Sequence, residues 1–163
     1  MTSPSISILI VNYNTRDLTL ACLESIFEHP PSGEYEVIVV DNASTDGSWE
    51  RIADRLPQVD LVRSEENLGF ARGNNLAMER STGDILFLLN SDTLIHQNTF
   101  PELERFLREH SDAAVVGGKH YLTDGSIQPT IKYFPRVSNM ISESFFLHRL
   151  FKGALWNERE TRL

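Results

Sequence analysis

Short apolar runs alternate with stretches of helical spacing through the first 116 residues, and this alternation limits the folds open to the chain more than any other feature. Residues 6–11 (Ile-Ser-Ile-Leu-Ile-Val) read as a strand ending in Asn12-Tyr13-Asn14. Leu18, Cys22 and Ile26, joined by Leu23 and Phe27, follow at helical spacing until Pro30-Pro31 stops them. The order then repeats: a strand at 37–40 and a helix marked by Trp49, Ile52, Ala53 and Leu56, then a short strand at 59–62 and a helix at 70–80. Residues 85–89 (Ile-Leu-Phe-Leu-Leu) form a continuous apolar run, the pattern of a strand buried on both faces, and are expected at the sheet centre. A helix around Phe100, Leu103, Phe106 and Leu107 and a fifth strand at 113–116 complete the pattern. Parallel neighbours need crossover helices, so strands alternating with helices specify an α/β domain with a mostly parallel central sheet flanked by helices. Ligands of such sheets bind at the carboxyl ends of the strands.

At 163 residues the chain can bury one proper core. We place the α/β domain at residues 1–120 and the beginning of a second, acceptor-side segment at 121–163. There Thr123-Asp-Gly-Ser126 reads as a hairpin turn and residues 140–151 as a Phe-rich helix. Fifteen Lys+Arg against 23 Asp+Glu give a net charge of -8, the wrong sign for a protein that binds nucleic acid by neutralising its phosphates. The lone Cys22 fits a core position and a reducing compartment. No basic region precedes an apolar leader, and no apolar run approaches the ~20 residues of a membrane span. The expected location is cytoplasmic, at most peripheral at the inner face of the membrane.

Small polar and acidic residues fall directly after the strands, at Asn12 to Asn14, Asp41 to Asp46, Asn67 to Gly69 and Asn90 to Asp92, and should converge on one rim. Any one of these loops also fits plain helix capping. Asn90-Ser91-Asp92 is the sharpest element, because two hard oxygen side chains one residue apart can approach one Mg2+ or Mn2+ and leave sites for phosphate oxygens. Asp41 is suited to accept an N–H from a pyrimidine base. Asp46, ahead of Trp49, reads as a helix N-cap, and Arg72 can face a phosphate or the base. Neither G-x-G-x-x-G nor G-x-x-x-x-G-K-[ST] occurs, no His/Cys spacing suggests zinc, and no G-x-S-x-G elbow is present.

Together, Ser7-Ile-Leu-Ile-Val-Asn-Tyr-Asn14, Val39-Val-Asp-Asn-Ala-Ser-Thr-Asp-Gly47, Asn67-Leu-Gly-Phe-Ala-Arg-Gly-Asn-Asn75 and Leu88-Leu-Asn-Ser-Asp92 resemble a family 2 glycosyltransferase of the GT-A, Rossmann-like fold. The wording is most similar to the rhamnosyltransferase-like branch. The resemblance implies inverting transfer of a sugar from a UDP- or dTDP-sugar to a saccharide or lipid-linked glycan acceptor. It places Asp41 on the pyrimidine, Tyr13 near the base and Arg72 near the nucleotide, with Asn12, Asn14 and Ser91 also at the nucleotide-sugar site and Asn90-Ser91-Asp92 as the family's D-x-D. Asn90 departs from the family's first aspartate, so Asp92 is the expected direct metal ligand and Asn90 serves the ribose or a metal-bound water. The acidic general base is expected beyond Leu163, so the chain is expected to bind nucleotide and metal and to transfer sugar poorly or not at all. Phe145, Phe146, Leu147, Leu150 and Phe151 are expected to pack on the acceptor-side part or to mediate self-association. A non-catalytic nucleotide-sugar-binding fragment is the alternative. A phosphoacceptor receiver module fits worse, since Asn12 and Asn14 stand where it needs an acidic pair.

Overall fold

The computed structural model describes residues 6–128. The chain divides into two compact units, Met1–Val116 and Gly117–Leu163. In the first, β1 (Ile6–Asn12), β2 (Tyr35–Asp41), β3 (Asp60–Arg63) and β4 (Ile85–Asn90) form a parallel sheet in the order β3-β2-β1-β4. Helices α1 (Arg16–Glu28), α2 (Ser48–Arg55), α3 (Gly69–Arg80) and α4 (Thr99–Glu109) connect or follow the strands.

The two faces of the sheet bury different residues, as the two-residue period of a strand requires. Ile8, Ile10 and Val39 pack with Leu20, Cys22, Leu23 and Ile26 of α1, Ile52 of α2 and Phe100 of α4. Leu9, Ile38 and Val40 face the other way, onto Ala77 of α3. Gly73 lets α3 approach β1: a Cβ there would lie 2.9 Å from Val11 Cγ1. Cys22 is fully buried in this core.

Two expectations from the sequence are corrected here. Among the described residues the apolar run at 85–89 is not the sheet centre: β1 and β2 hold that place, and β4, like β3, is an edge strand, alternating half-buried and exposed positions. Leu86 and Leu88 are 40% and 51% exposed. An apolar run reports what a strand's faces can tolerate and not which neighbours it acquires; α3 packs on β1 and β2 and does not cover this face of β4. Residues 113–116 form no strand, and Val115 is 89% exposed. Apolar residues favour extended backbone, but a strand exists only where a ladder partner accepts it.

In the second unit, β5 (His120–Tyr121) and β6 (Ile127–Gln128) form the antiparallel hairpin expected around residues 123–126. Gly125 supplies the left-handed residue at φ 80°, and Asp124 Oδ1 accepts from the N–H and hydroxyl of Ser126. The helix expected at 140–151 and its Phe cluster lie outside the described residues.

Candidate functional site

Parallel register brings the strand ends level, with Asn12 beside Asp41, Asp41 beside Arg63, and Val11 beside Asn90. The strand order reverses across β1: β2 and β3 lie to one side and β4 to the other, so the ends of β1 and β4 form the switch point where open α/β sheets hold ligands.

Asn12 is the hub of this rim. Fully buried, its Nδ2 donates to Asp41 Oδ1 at 2.7 Å and to Ser44 Oγ at 3.0 Å. Its Oδ1 accepts from Thr15 Oγ1 at 2.9 Å and Thr19 Oγ1 at 2.7 Å. Asp41 is buried as completely, its second oxygen accepting from the Ser44 N–H at 3.3 Å. Such buried polar groups are tolerated because each has partners. Thr15 Oγ1 also lies 3.1 Å from Ser91 Oγ, carrying the network across to the end of β4.

The loops lock onto one another. Asn14 Oδ1 accepts from Thr45 N at 2.8 Å, and Asn14 N donates to Ser44 Oγ at 3.0 Å. Asp46 Oδ2 accepts from the Arg16 N–H at the start of α1, and Oδ1 accepts from the Ser48 N–H and hydroxyl at the start of α2. The N-cap position expected for Asp46 is held by Gly47, in left-handed backbone at φ 81°, so one carboxylate serves the first turns of two helices from a residue further out. Burial opposes ionisation of Asp46, yet the hydrogen bonds from Ser48 and Arg16 prevail and hold its carboxyl below the ordinary aspartate value. Asn42, nearly fully buried, donates to Asn67 Oδ1 at 2.8 Å and accepts from the Leu68 N–H at 2.8 Å, tying the end of β2 to the turn that opens α3.

Around this buried frame stand the exposed groups. Tyr13 is 48% exposed, and Asn14, Arg72, Asn90 and Asp92 are exposed, with Ser91 half-buried between the last two. Arg72 Nε donates to the Leu68 carbonyl at 3.0 Å. The other arginine here, Arg63, stacks 5.4 Å over the Trp49 ring. Asp92 has no hydrogen bond or ion pair within the described residues, and with Asn90 it offers hard oxygens of the kind Mg2+ and Mn2+ take. Among the described residues no three His, Cys, Asp or Glu side chains gather to hold a metal. Cys22, behind this loop, donates from Sγ to the Asn90 carbonyl at 3.7 Å.

Of the residues singled out in the sequence, the structure turns Asn12 and Asp41 inward and Tyr13, Asn14, Arg72, Asn90 and Asp92 outward. Thr15, Thr19, Asn42 and Ser44 carry the network; Thr15 and Thr19 lie outside the stretches singled out, and Asn42 and Ser44 lie within one but were given no role. Their signal was present only as small polar residues near strand ends, which capping explains equally well.

A parallel α/β sheet with this polar rim at its carboxyl end has the architecture in which open α/β folds place their ligands. The chain matches the family described as Glycosyl transferase family 2 over residues 7–155, and it belongs to that family. An N-acetylglucosaminyltransferase of Rhizobium sp. (strain N33) is 33% identical over 123 residues, covering 70% of this chain and 26% of its own. The crystal structure of S. aureus TarS 1-349 in complex with UDP-GlcNAc is 27% identical with a TM-score of 0.58, covering 66% of this chain and 32% of its own. The mannosyltransferase PcManGT from Pyrobaculum calidifontis, in complex with GDP-Man and Mn2+, is 30% identical with a TM-score of 0.57, covering 69% and 34%. The chain spans less than half the length of the curated relatives it matches.

Proposed function

We propose that this chain is the donor-binding part of an inverting glycosyltransferase, taking a UDP- or dTDP-sugar together with Mg2+ or Mn2+ for transfer to a saccharide or lipid-linked acceptor. The observation that carries the reading is the partly buried network from Asp41 through Asn12 and Thr15 to Ser91, with the exposed Tyr13 next in chain to Asn12 and Asn90 and Asp92 flanking Ser91; Arg72 is tied separately, to Leu68, whose N–H is held by Asn42 at the end of β2. Asp41 and Tyr13 serve the base, Arg72 serves the nucleotide, and Asn12 and Asn14 belong to the same nucleotide-sugar site, Asn12 as the hydrogen-bond partner that positions Asp41. Asp92 is the direct cation ligand, with Asn90 beside it. When bound, the cation neutralises charge on the departing diphosphate, a form of electrostatic catalysis. Support comes from relatives that by name transfer N-acetylglucosamine or mannose, and from a neighbouring structure holding GDP-Man with Mn2+. None of those named here is a rhamnosyltransferase, so dTDP enters the test beside UDP. The cytoplasmic location expected from the unpaired Cys22 belongs to this same reading.

Calorimetric titration with UDP, dTDP and GDP, each with and without Mn2+, tests the assignment. Pyrimidine diphosphates should bind, more tightly with the cation, and Asp92→Ala should abolish the Mn2+ increment while metal-free binding survives. No heat from either pyrimidine nucleotide, with or without Mn2+, would end the proposal.

A further inference from the structure

Thr15 occupies the N-cap of α1 without using its hydroxyl as a cap. A threonine there ordinarily accepts the N–H of the second or third helical residue. Here the Arg16 N–H goes to Asp46 Oδ2 at 2.9 Å, while the Thr15 carbonyl still accepts from Thr19 N at 2.8 Å to start the helix. The neighbouring loop thus meets one first-turn N–H, and the Thr15 hydroxyl, engaged in no cap, joins Asn12 Oδ1 at 2.9 Å and lies 3.1 Å from both Ser91 Oγ and Thr19 Oγ1.

The direction of the protons follows from the partners. Asn12 Oδ1 has only lone pairs to offer, so Thr15 gives it its single proton. Ser91 must then donate to Thr15, which turns the remaining lone pairs of Ser91 away from Thr15. Asn12 Nδ2 in turn donates to Asp41 Oδ1. Every donor along Ser91, Thr15 and Asn12 therefore points toward the Asp41 carboxylate, an aligned chain whose members polarise one another. The β1–β4 ladder ends at the pair Val11 and Asn90, so past that point Thr15 and Ser91 link the loops through their side chains.

We propose that Thr15 is a positioning residue that couples the base end of the site, at Asp41 and Asn12, to the phosphate and cation end, at Ser91, so that nucleotide bound at one end orders the other. This rests on the donor-binding reading above. Two sites are coupled when occupancy of one shifts the equilibrium of the other, by 5- to 150-fold in ordinary cases.

The test is hydrogen exchange of residues 90–95 with and without saturating UDP and no added metal, in the unmodified chain, Thr15→Ser, Thr15→Val and Ser91→Ala. UDP should slow exchange at residues 91–93 by about fivefold or more in the unmodified chain and in Thr15→Ser. In Thr15→Val the protection should be lost although calorimetry still registers UDP. Ser91→Ala cuts the same link without touching the start of α1, and should lose the protection too even if Thr15→Val folds poorly. Protection retained in the two link-breaking variants, or absent from an unmodified chain that binds UDP, would overturn the coupling alone. Absence of UDP heat from the unmodified chain would instead remove the donor-binding reading, and the coupling with it.

Discussion

Replacing Asn12 with alanine removes the amide that joins the end of β1 to Asp41 at the end of β2 and to the threonines that open α1. The change deletes four hydrogen bonds: one to the Asp41 carboxylate, one to Ser44 Oγ, and one each from the hydroxyls of Thr15 and Thr19. A bond to a charged group is worth about 1.5–3 kcal/mol net and a neutral one about 0.5–1.5 kcal/mol. The two threonine hydroxyls, 3.1 Å apart, can pair with each other and recover part of the loss. Asp41 has no such recourse, because it is fully buried and keeps only its longer bond from Ser44 N. A stranded carboxylate in that position adds its own desolvation cost. We expect Asn12→Ala to lower unfolding free energy by about 3–5 kcal/mol, a fall in Tm on the order of 10 °C for a chain of this length. Urea denaturation followed by far-UV circular dichroism reads the change as a lower midpoint at constant slope. Adding Asp41→Asn should restore more than additivity allows, since it neutralises the stranded charge. A loss under about 1 kcal/mol, or strictly additive behaviour of the pair, would show that the network does not carry the rim.

Two further outcomes follow from groups around the same frame. Burial pushes the Cys22 thiol up to about 12, against the opposing hydrogen bond from Thr93, so a disulfide reagent at pH 8 should modify it only at the rate of global unfolding; fast labelling of the native protein would contradict the core placement. Asp46 is held below the ordinary aspartate value, so its contribution to stability is fully present above about pH 4 and is lost as pH falls through its lower folded value. Stability measured between about pH 5 and 2 should therefore fall less steeply in Asp46→Asn than in the unmodified chain, and identical slopes would refute this.

The alternation of apolar runs with helical spacing was enough to specify a parallel α/β sheet, because its crossovers leave few other arrangements for strands of that length. Strand ends could be located for the same reason, which is why Asn12, Asp41 and Asn90 were identifiable as rim residues before any coordinates. The family's motifs added the chemistry that spacing alone leaves open.

Which strand stands in the middle was decided only by tertiary structure. The runs at 6–11, 37–40 and 85–89 are all largely apolar on both faces, and it is the path of α3 back across β2 and β1 that leaves β4 at an edge of the sheet among the described residues. Whether a polar residue at a strand end faces solvent or its neighbours was likewise invisible in one dimension. Asn12 and Asn14 are the same residue type two positions apart, yet one is fully buried among Asp41, Thr15 and Thr19 while the other is exposed. Residue type states what a side chain can bond to; only the packing of residues roughly thirty or seventy positions away determines which of those bonds it makes, as Asn12 to Asp41 and Thr15 to Ser91 show.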